Sequence, residues 1–392
     1  MVVGVAGRLG DPLVLQPFAL SRGMLSHACG RAFLQEPKIM LLRFLVLIAC
    51  AGTAPAMAAD FMDVLSQPAV MSPLASKGLL QSVTRAGSKL VAVGQRGHIV
   101  VSSDEGKTWR QSPVPVRSDL TAVYFVNERK GWAVGHDGVI LATGDGGASW
   151  RLQLDGVRAN QAVVADLARK AEAQPASDAI RSLLAEAKRN VEQGPDKPFL
   201  DVWFADETTG FAIGAYNLVF RTEDGGATWA PWFDRTDNPK LLNLYSIRPA
   251  AGGLFIAGEA GLVLKLDTTA QRFRAIELPY QGTLLGVSGD AANALVFGLR
   301  GHAYRSGDGG KTWSKVDAAL PATIVAGVSL PNSGFALADA SGRVSHSSDG
   351  GRSFKMLPVP PTMMLAGIAD AGSNRLALAG ARGVAFAEIP PR

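Results

Sequence analysis

Arginine next to glycine recurs in short loops at similar places along this chain of 392 residues. The planar guanidinium binds carboxylates in a bidentate manner and stacks on aromatic rings, so these arginines predict recognition of a partner. The alternative is that each pairs with a neighbouring acid, such as Glu259 or Asp339, or is only solvated. The four candidate partner-binding residues are Arg96, Arg300, Arg382 and Arg343.

A second motif, Ser-x-Asp-x-Gly-x-Thr-Trp, also recurs, and its residue types suit a structural role. The Asp side chain can accept hydrogen bonds from nearby backbone N–H groups, glycine supplies positive φ angles, and Trp is buried against neighbouring strands. An active site needs one asymmetric constellation, so a turn repeated five times is interpreted as structural. Its Asp and aromatic positions are Asp104, Trp109, Asp145, Trp150, Asp224, Trp229, Asp308, Trp313, Asp349 and Phe354, with a degenerate copy at Asp267 to Phe273.

Little else in the sequence could do chemistry. The turn resembles the Asp-box of sialidases, but sialoside hydrolysis needs an arginine triad with a Tyr and a Glu, and none of the five tyrosines lies in an obvious acidic constellation. His98, His136 and His302 occupy similar loops without a carboxylate at ligand spacing. The sequence therefore predicts no enzymatic activity, no cofactor, no metal site and no small-molecule substrate.

The elements that carry these residues repeat with a period of about 40 residues and four short strands per unit, which is typical of a β-propeller. The interpretation is an all-β fold, a seven-bladed β-propeller; six blades plus an extra edge strand is the alternative. In a propeller, the loops between second and third strands lie on the face of the inter-blade links, opposite the Asp-box turns. The units open near Leu80, Leu120, Leu200, Leu244, Leu284, Val325 and Leu365.

Two segments depart from the repeat. The last unit ends before a fourth strand, so we expect residues 62–65 or 69–71 to pair with it and close the ring. Residues 158–193 show helical spacing and predict a helical hairpin between blades two and three, with Ser177 or Asp178 capping its second helix. The hairpin should share one face with the arginines, either packed against the propeller or as a docking element.

The first 58 residues are expected to be a leader that is removed, with an export signal at 40–58 and a start codon assigned too early. The mature propeller would then span 59–392 in the periplasm. Cys50 offers an alternative, because its context resembles a lipoprotein box that would anchor the chain to a membrane. Residues 1–58 carry five basic and two acidic side chains, so the net charge falls from +5 to +2, which argues against nucleic-acid binding.

The 40-residue units, the core Gly131-Trp132-Ala133-Val134-Gly135, the Asp-box ends and the Arg-Gly loops together resemble the photosystem II stability and assembly factor family. The resemblance implies a non-enzymatic propeller whose arginine patch, here Arg96, Arg300 and Arg382, holds a membrane-protein assembly intermediate. The hairpin and the degenerate fourth Asp-box favour a relative of this family from a bacterium without photosynthesis. For such a relative, the expected membrane partners include an exporter. A glycan-binding or sialidase-like Asp-box propeller is the alternative function.

Overall fold

The computed structural model describes residues 63–358 and 363–390, which form seven antiparallel sheets in which consecutive strands are neighbours. Sheet 1 contains β1 (Leu80–Ala86), β2 (Lys89–Gly94), β3 (Ile99–Ser102) and β4 (Arg110–Gln111). Sheet 2 contains β5 (Leu120–Phe125), β6 (Gly131–Gly135), β7 (Ile140–Thr143) and β8 (Arg151–Leu154). Sheet 3 contains β9 (Phe199–Phe204), β10 (Gly210–Gly214), β11 (Val219–Thr222) and β12 (Ala230–Pro231).

The remaining four sheets repeat the pattern, and the last has three strands among the described residues. Sheet 4 contains β13 (Leu244–Ala250), β14 (Gly253–Gly258), β15 (Val263–Asp267) and β16 (Arg272–Ile276). Sheet 5 contains β17 (Leu284–Gly289), β18 (Ala294–Gly298), β19 (His302–Ser306) and β20 (Ser314–Asp317). Sheet 6 contains β21 (Ile324–Leu330), β22 (Gly334–Asp339), β23 (Val344–Ser347) and β24 (Lys355–Met356), and sheet 7 contains β25 (Leu365–Gly372), β26 (Arg375–Gly380) and β27 (Gly383–Glu388).

The first strand of each sheet contacts the first strand of the next, and β25 contacts β1, so the seven sheets close into a ring. A separate hydrophobic cluster fills each of the seven junctions between neighbouring sheets. Both faces of a sheet are therefore packed. This explains why the second strands are buried at every position, as in Gly131–Gly135, or at every position but the first, and why their sequences are continuous apolar runs.

Within residues 63–358 and 363–390, the ring closes without the additional strand expected from the sequence. Among the described residues, sheet 7 keeps three strands, while the Ala69 N–H donates to the Val114 carbonyl and Ser72 to the Gln111 side chain, both beside sheet 1. The expectation that residues 62–65 or 69–71 would pair with the last unit is wrong for the described positions, since Val64–Ser66 is a 3-10 turn whose Val64 carbonyl accepts the Arg117 N–H; Met62 lies outside the described residues. Closure comes instead from side-chain packing, in which Leu80, Val83 and Ala92 of sheet 1 meet alanines of sheet 7.

The two ends of the strands define two different faces. In every sheet, the first residue of the turn between the second and third strands donates its N–H to the carbonyl just before the first strand, at 2.8–3.2 Å. We call this side, which also carries the links between sheets, the link face. On the opposite side, the Asp-box face, Gly146 donates to the carbonyl of Arg129, and Gly225 to that of Thr208.

Two helices follow β8: α1 (Gly156–Ala173) and α2 (Asp178–Gln193). Asp155 caps α1 by accepting the Arg158 N–H, and Ser177 caps α2. The start of α1 lies against the turn of sheet 2, where a Cβ on Gly138 would come within 2.6 Å of the Gly156 Cα. The hairpin therefore begins on the link face.

The far end of α1 is held against the link that follows sheet 3. Lys170 Nζ lies 2.6 Å from both Asp234 and Asp166 and 6.0 Å from the ring centroid of Phe233. Leu167 and Ala187 are buried between the helices and this surface. The hairpin is thus packed against the ring, as one of the two interpretations of the sequence expected.

Candidate partner-binding face

The turns between second and third strands present one residue each at the same place in successive sheets. In sheets 1 to 5 this residue, which we call the turn-tip residue, has a left-handed backbone with φ between 52° and 57°. That conformation is uncommon for residues other than glycine, and here the hydrogen bond to the preceding link and the tight turn fix it. The five turn-tip residues are Arg96, Asp137, Tyr216, Ala260 and Arg300.

The arginines predicted from the sequence all lie on the link face, in four neighbouring sheets of the ring. Arg96 and Arg300 are the turn-tip residues of sheets 1 and 5. Arg343 and Arg382 lie in the corresponding turns of sheets 6 and 7. Since sheet 7 contacts sheet 1, the four arginines form a continuous arc, which we call the arginine arc.

The backbone N–H groups of the arc are anchored, whereas the guanidinium groups are not. The N–H of Arg96 donates to Asp119 Oδ1 at 2.6 Å, and that of Arg343 donates to Asp339 Oδ1 at 2.9 Å. Among residues 63–358 and 363–390, no hydrogen-bond or ion-pair partner is found for any of the four guanidinium groups. The arc is therefore available to an external anion.

The acids considered as internal partners are occupied otherwise. Asp339 is fully buried and accepts hydrogen bonds from Ser341 and the Arg343 backbone, and Glu259 accepts the Asn243 N–H at 3.2 Å. The alternative in which Glu259 or Asp339 neutralises an arginine side chain therefore finds no ion pair among the described residues.

Two histidines beside the arc do not add to its charge. Burial lowers the pKa of His98, and the nearby Arg96 lowers it further, although a backbone hydrogen bond to Val70 acts in the opposite direction. Burial likewise lowers the pKa of His302, with help from Lys315 and Arg300. Both imidazoles are neutral at pH 7, so the positive charge of the arc is carried by arginine.

The Asp-box turns lie on the opposite face, and their geometry is that of a structural device. In the turn of Asp104, Oδ1 accepts the Thr108 N–H at 2.9 Å and Oδ2 accepts the Thr108 hydroxyl at 2.6 Å, while Ser102 Oγ accepts the Gly106 N–H. The four other turns repeat these bonds at Asp145, Asp224, Asp308 and Asp349. Each aspartate organises its own turn and faces no common site.

These hydrogen bonds stabilise the ionised carboxylates. The hydroxyl and N–H of Thr108 lower the pKa of Asp104 to about 2. Burial opposes the same effect at Asp145, but the bonds from Ser149 and Thr143 prevail and bring its pKa to about 2 as well. In the degenerate copy, Asp267 accepts the backbone N–H groups of Thr269 and Ala270, and its Oδ2 lies 3.8 Å from Arg274 Nε in place of a hydroxyl donor.

A cavity of about 540 Å³, lined mainly by the first strands with both polar and apolar side chains, lies at the centre of the ring. Asp201 is buried within its wall; it accepts the Ile247 N–H at 2.8 Å and pairs with Arg248 Nη1 at 2.6 Å. The Arg248 guanidinium also lies 5.7 Å from the ring centroid of Tyr124. This ion pair was not predicted from the sequence, although an acid inside an apolar first strand is a visible signal.

Within the described residues, no cluster of three or more His, Cys, Asp or Glu side chains is arranged to hold a metal ion. In the same part of the chain, no helix is both long and apolar enough to cross a membrane. A closed ring of antiparallel sheets with a repeated turn in each defines a β-propeller-like protein.

Comparison with known proteins agrees with this class. The family model described as "Photosynthesis system II assembly factor YCF48" matches residues 52–144 and 182–281. The photosystem II assembly lipoprotein Ycf48 of Synechococcus sp. (strain CC9902) is 30% identical over 126 residues, which cover 31% of this chain and 38% of that relative's length. These matches show that the chain is similar to photosystem II assembly factors and confirm the resemblance drawn from its sequence.

Solved structures show the same fold at low sequence identity. A structure of YCF48 bound to a D1 peptide matches with a TM-score of 0.57 and 15% identity, covering 83% of this chain and 97% of that one. The WD40 β-propeller domain of Doa1 matches with a TM-score of 0.55 and 12% identity, covering 82% and 96%. At such identities the likeness supports the propeller-like architecture alone.

Proposed function

We propose that this chain is a non-catalytic, seven-bladed β-propeller that binds an inner-membrane protein complex and assists its assembly or stability. Each of the seven sheets would be one blade, with the helical hairpin inserted between blades two and three. The proposal has the mature protein exported to the periplasm. The lipoprotein relative supports a membrane-anchored form, for which Cys50 is the candidate attachment point.

The observation that carries the proposal is the arginine arc. Four neighbouring sheets present arginines whose guanidinium groups have no partner within the described residues, and two of them are held on strained turn tips. Guanidinium groups fit carboxylates, so the expected ligand is an acidic or carboxylate-ending polypeptide segment of the client. The matches described above give no support to a transporter-accessory role or to glycan binding.

Affinity capture tests the proposal directly. The tagged full chain is expressed in its native host, membranes are gently solubilised, and co-purifying proteins are identified by mass spectrometry. We expect an integral membrane complex with the wild type and its loss when Arg96, Arg300 and Arg382 are all changed to Glu.

A matched control separates the arc from bulk charge. Changing Lys107, Lys311 and Lys355 to Glu makes the same change in net charge at exposed positions away from the link face. This variant should retain the complex. Capture that survives the arc reversal, or that is lost equally in both variants, contradicts the proposed role of the arc; circular dichroism of all three proteins establishes that the fold is intact.

A further inference from the structure

Large exposed apolar side chains are distributed unequally between the two faces. Among the described residues, none of those at least 38% exposed lies in a turn of the Asp-box face. Most lie in the turns and links of the link face or at the base of the hairpin, and the rest lie at the rim of the ring. Those on the link face are Leu74, Val157, Val191, Leu79, Tyr216, Leu241, Leu299 and Met364.

Several of these side chains are built into the arginine arc itself. Leu299, 38% exposed, directly precedes Arg300 in its turn. Met364 is 68% exposed, and its carbonyl accepts the N–H of Ala381, the residue before Arg382. The arc therefore presents apolar side chains and cations side by side.

The same pairing occurs in sheet 1. The Leu79 carbonyl accepts the N–H of Gln95, which precedes Arg96. Leu74 is 63% exposed and caps the short 3-10 turn Ala75–Lys77, which packs against the start of β27. Lys77 adds a further cation to this part of the link face.

The turns between second and third strands differ in charge around the ring. The turns of sheets 2 and 4 carry Asp137 and Glu259, whereas sheets 5, 6, 7 and 1 carry the four arginines. Cations interleaved with exposed leucine and methionine over several sheets match a flat, anionic and partly apolar partner. The interface of a phospholipid bilayer has this chemistry, since phosphates accept from arginine and the acyl boundary accepts apolar side chains.

We propose that the half of the link face formed by sheets 5, 6, 7 and 1 rests on an anionic bilayer surface. The bilayer is a second ligand beyond the client polypeptide of the proposed function, and its recognition does not depend on that client. Contact through this half would place the arc at the level of the headgroups, with the Asp-box face directed towards water.

A label that reports polarity at one face tests this orientation. In the full chain with Cys29→Ser and Cys50→Ser, no acyl chain can be attached at Cys50 and a single new cysteine can carry an NBD fluorophore. We compare Leu299→Cys on the link face with Lys311→Cys on the Asp-box face. Vesicles of phosphatidylcholine and phosphatidylglycerol should shift the emission of the first label to the blue and leave the second unchanged. A leader that merely tethers the chain would not produce this difference between faces.

Neutralising one arginine gives a quantitative test of vesicle binding. Each arginine near an anionic surface contributes about 1 kcal/mol, so Arg300→Gln should lower partitioning onto these vesicles about fivefold, and Lys311→Gln should not change it. Pure phosphatidylcholine should bind weakly. Equal emission shifts at both labels, or none at residue 299, overturn the inference. If, in that case, client capture still depends on the arc, the arc binds polypeptide alone and the proposed function stands.

Discussion

The buried ion pair in the wall of the central cavity gives a prediction whose size follows from its contacts. Asp201 has a side chain only 5% exposed and accepts two backbone N–H groups, from Ile247 and Val202, besides pairing with Arg248. Asp201→Ala removes all three interactions. It leaves the buried Ile247 N–H without an acceptor, which costs about 1–3 kcal/mol.

The unpaired positive charge of Arg248 lowers the free energy of unfolding further. Removing one partner of a buried pair typically destabilises by about 3–5 kcal/mol, but Arg248 is 30% exposed and keeps bonds to the Ile247 and Val202 carbonyls. We therefore expect a total loss of about 3 kcal/mol. Asp201→Asn keeps the volume and an acceptor oxygen, so it should lose about half as much.

Urea unfolding at pH 7, followed by both tryptophan fluorescence and circular dichroism, measures the effect. For a slope of about 3 kcal/mol per molar urea, Asp201→Ala should lower the midpoint by about 1 M. A loss below about 1 kcal/mol would refute the reasoning, because it would mean that the carboxylate contributes no more than a surface ion pair.

Three further outcomes follow from the packing. The five Asp-box aspartates have lowered pKa values in the folded protein, about 2 for Asp104 and Asp145, so their stabilisation is complete above the unfolded value of 3.8 and is lost as the pH falls through the folded values; the thermal midpoint should decline as the pH is lowered from 4 to 2, and a flat profile would contradict this. Gly383→Ala should destabilise by more than about 1 kcal/mol in urea unfolding, since its Cβ would lie 2.0 Å from the Ser76 carbonyl at a φ of 91°. Gly194→Ala, with a similar φ but open space, is the control, and equal costs would rule out the clash as the cause. Trp132→Ala should cost about 3–5 kcal/mol by differential scanning calorimetry, because the indole is fully buried and stacked 3.4 Å from Phe204; a loss under about 1 kcal/mol would show that the neighbours collapse into the space.

Much of the fold could be predicted from the sequence because each repeat unit determines its own strands and turns through residues that are close together in the chain. The predicted openings at Leu200 and Val325 lie one residue from the observed strand starts, and the other five coincide. Asp-box turns and helix caps are also local, since their bonds join residues two to four apart. Patterns of this kind do not depend on which sheets become neighbours.

The features that were missed arise between distant parts of the chain. Closure of the ring depends on alanines of sheet 7 fitting against Leu80 and Val83, which a search for a missing strand does not detect. The pairing of Asp201 with Arg248 joins two sheets. On the link face, the arginines were predictable from the Arg-Gly pattern, whereas Leu299 and Met364 look like ordinary core residues in the sequence and are exposed in the structure.

The left-handed turn-tip residues combine a constant backbone with variable side chains, which bears on how such a ring can change its ligand. Arg96, Asp137, Tyr216, Ala260 and Arg300 share one backbone geometry although their side chains differ in charge, size and polarity. The geometry is fixed by main-chain hydrogen bonds to the preceding links, so a substitution at a tip alters surface chemistry without disturbing the core. The turn-tip positions can thus accept different side chains without a change of backbone. A single replacement, such as Ala260→Arg, would extend the positive charge into sheet 4, and the binding surface can diversify one sheet at a time while the ring persists.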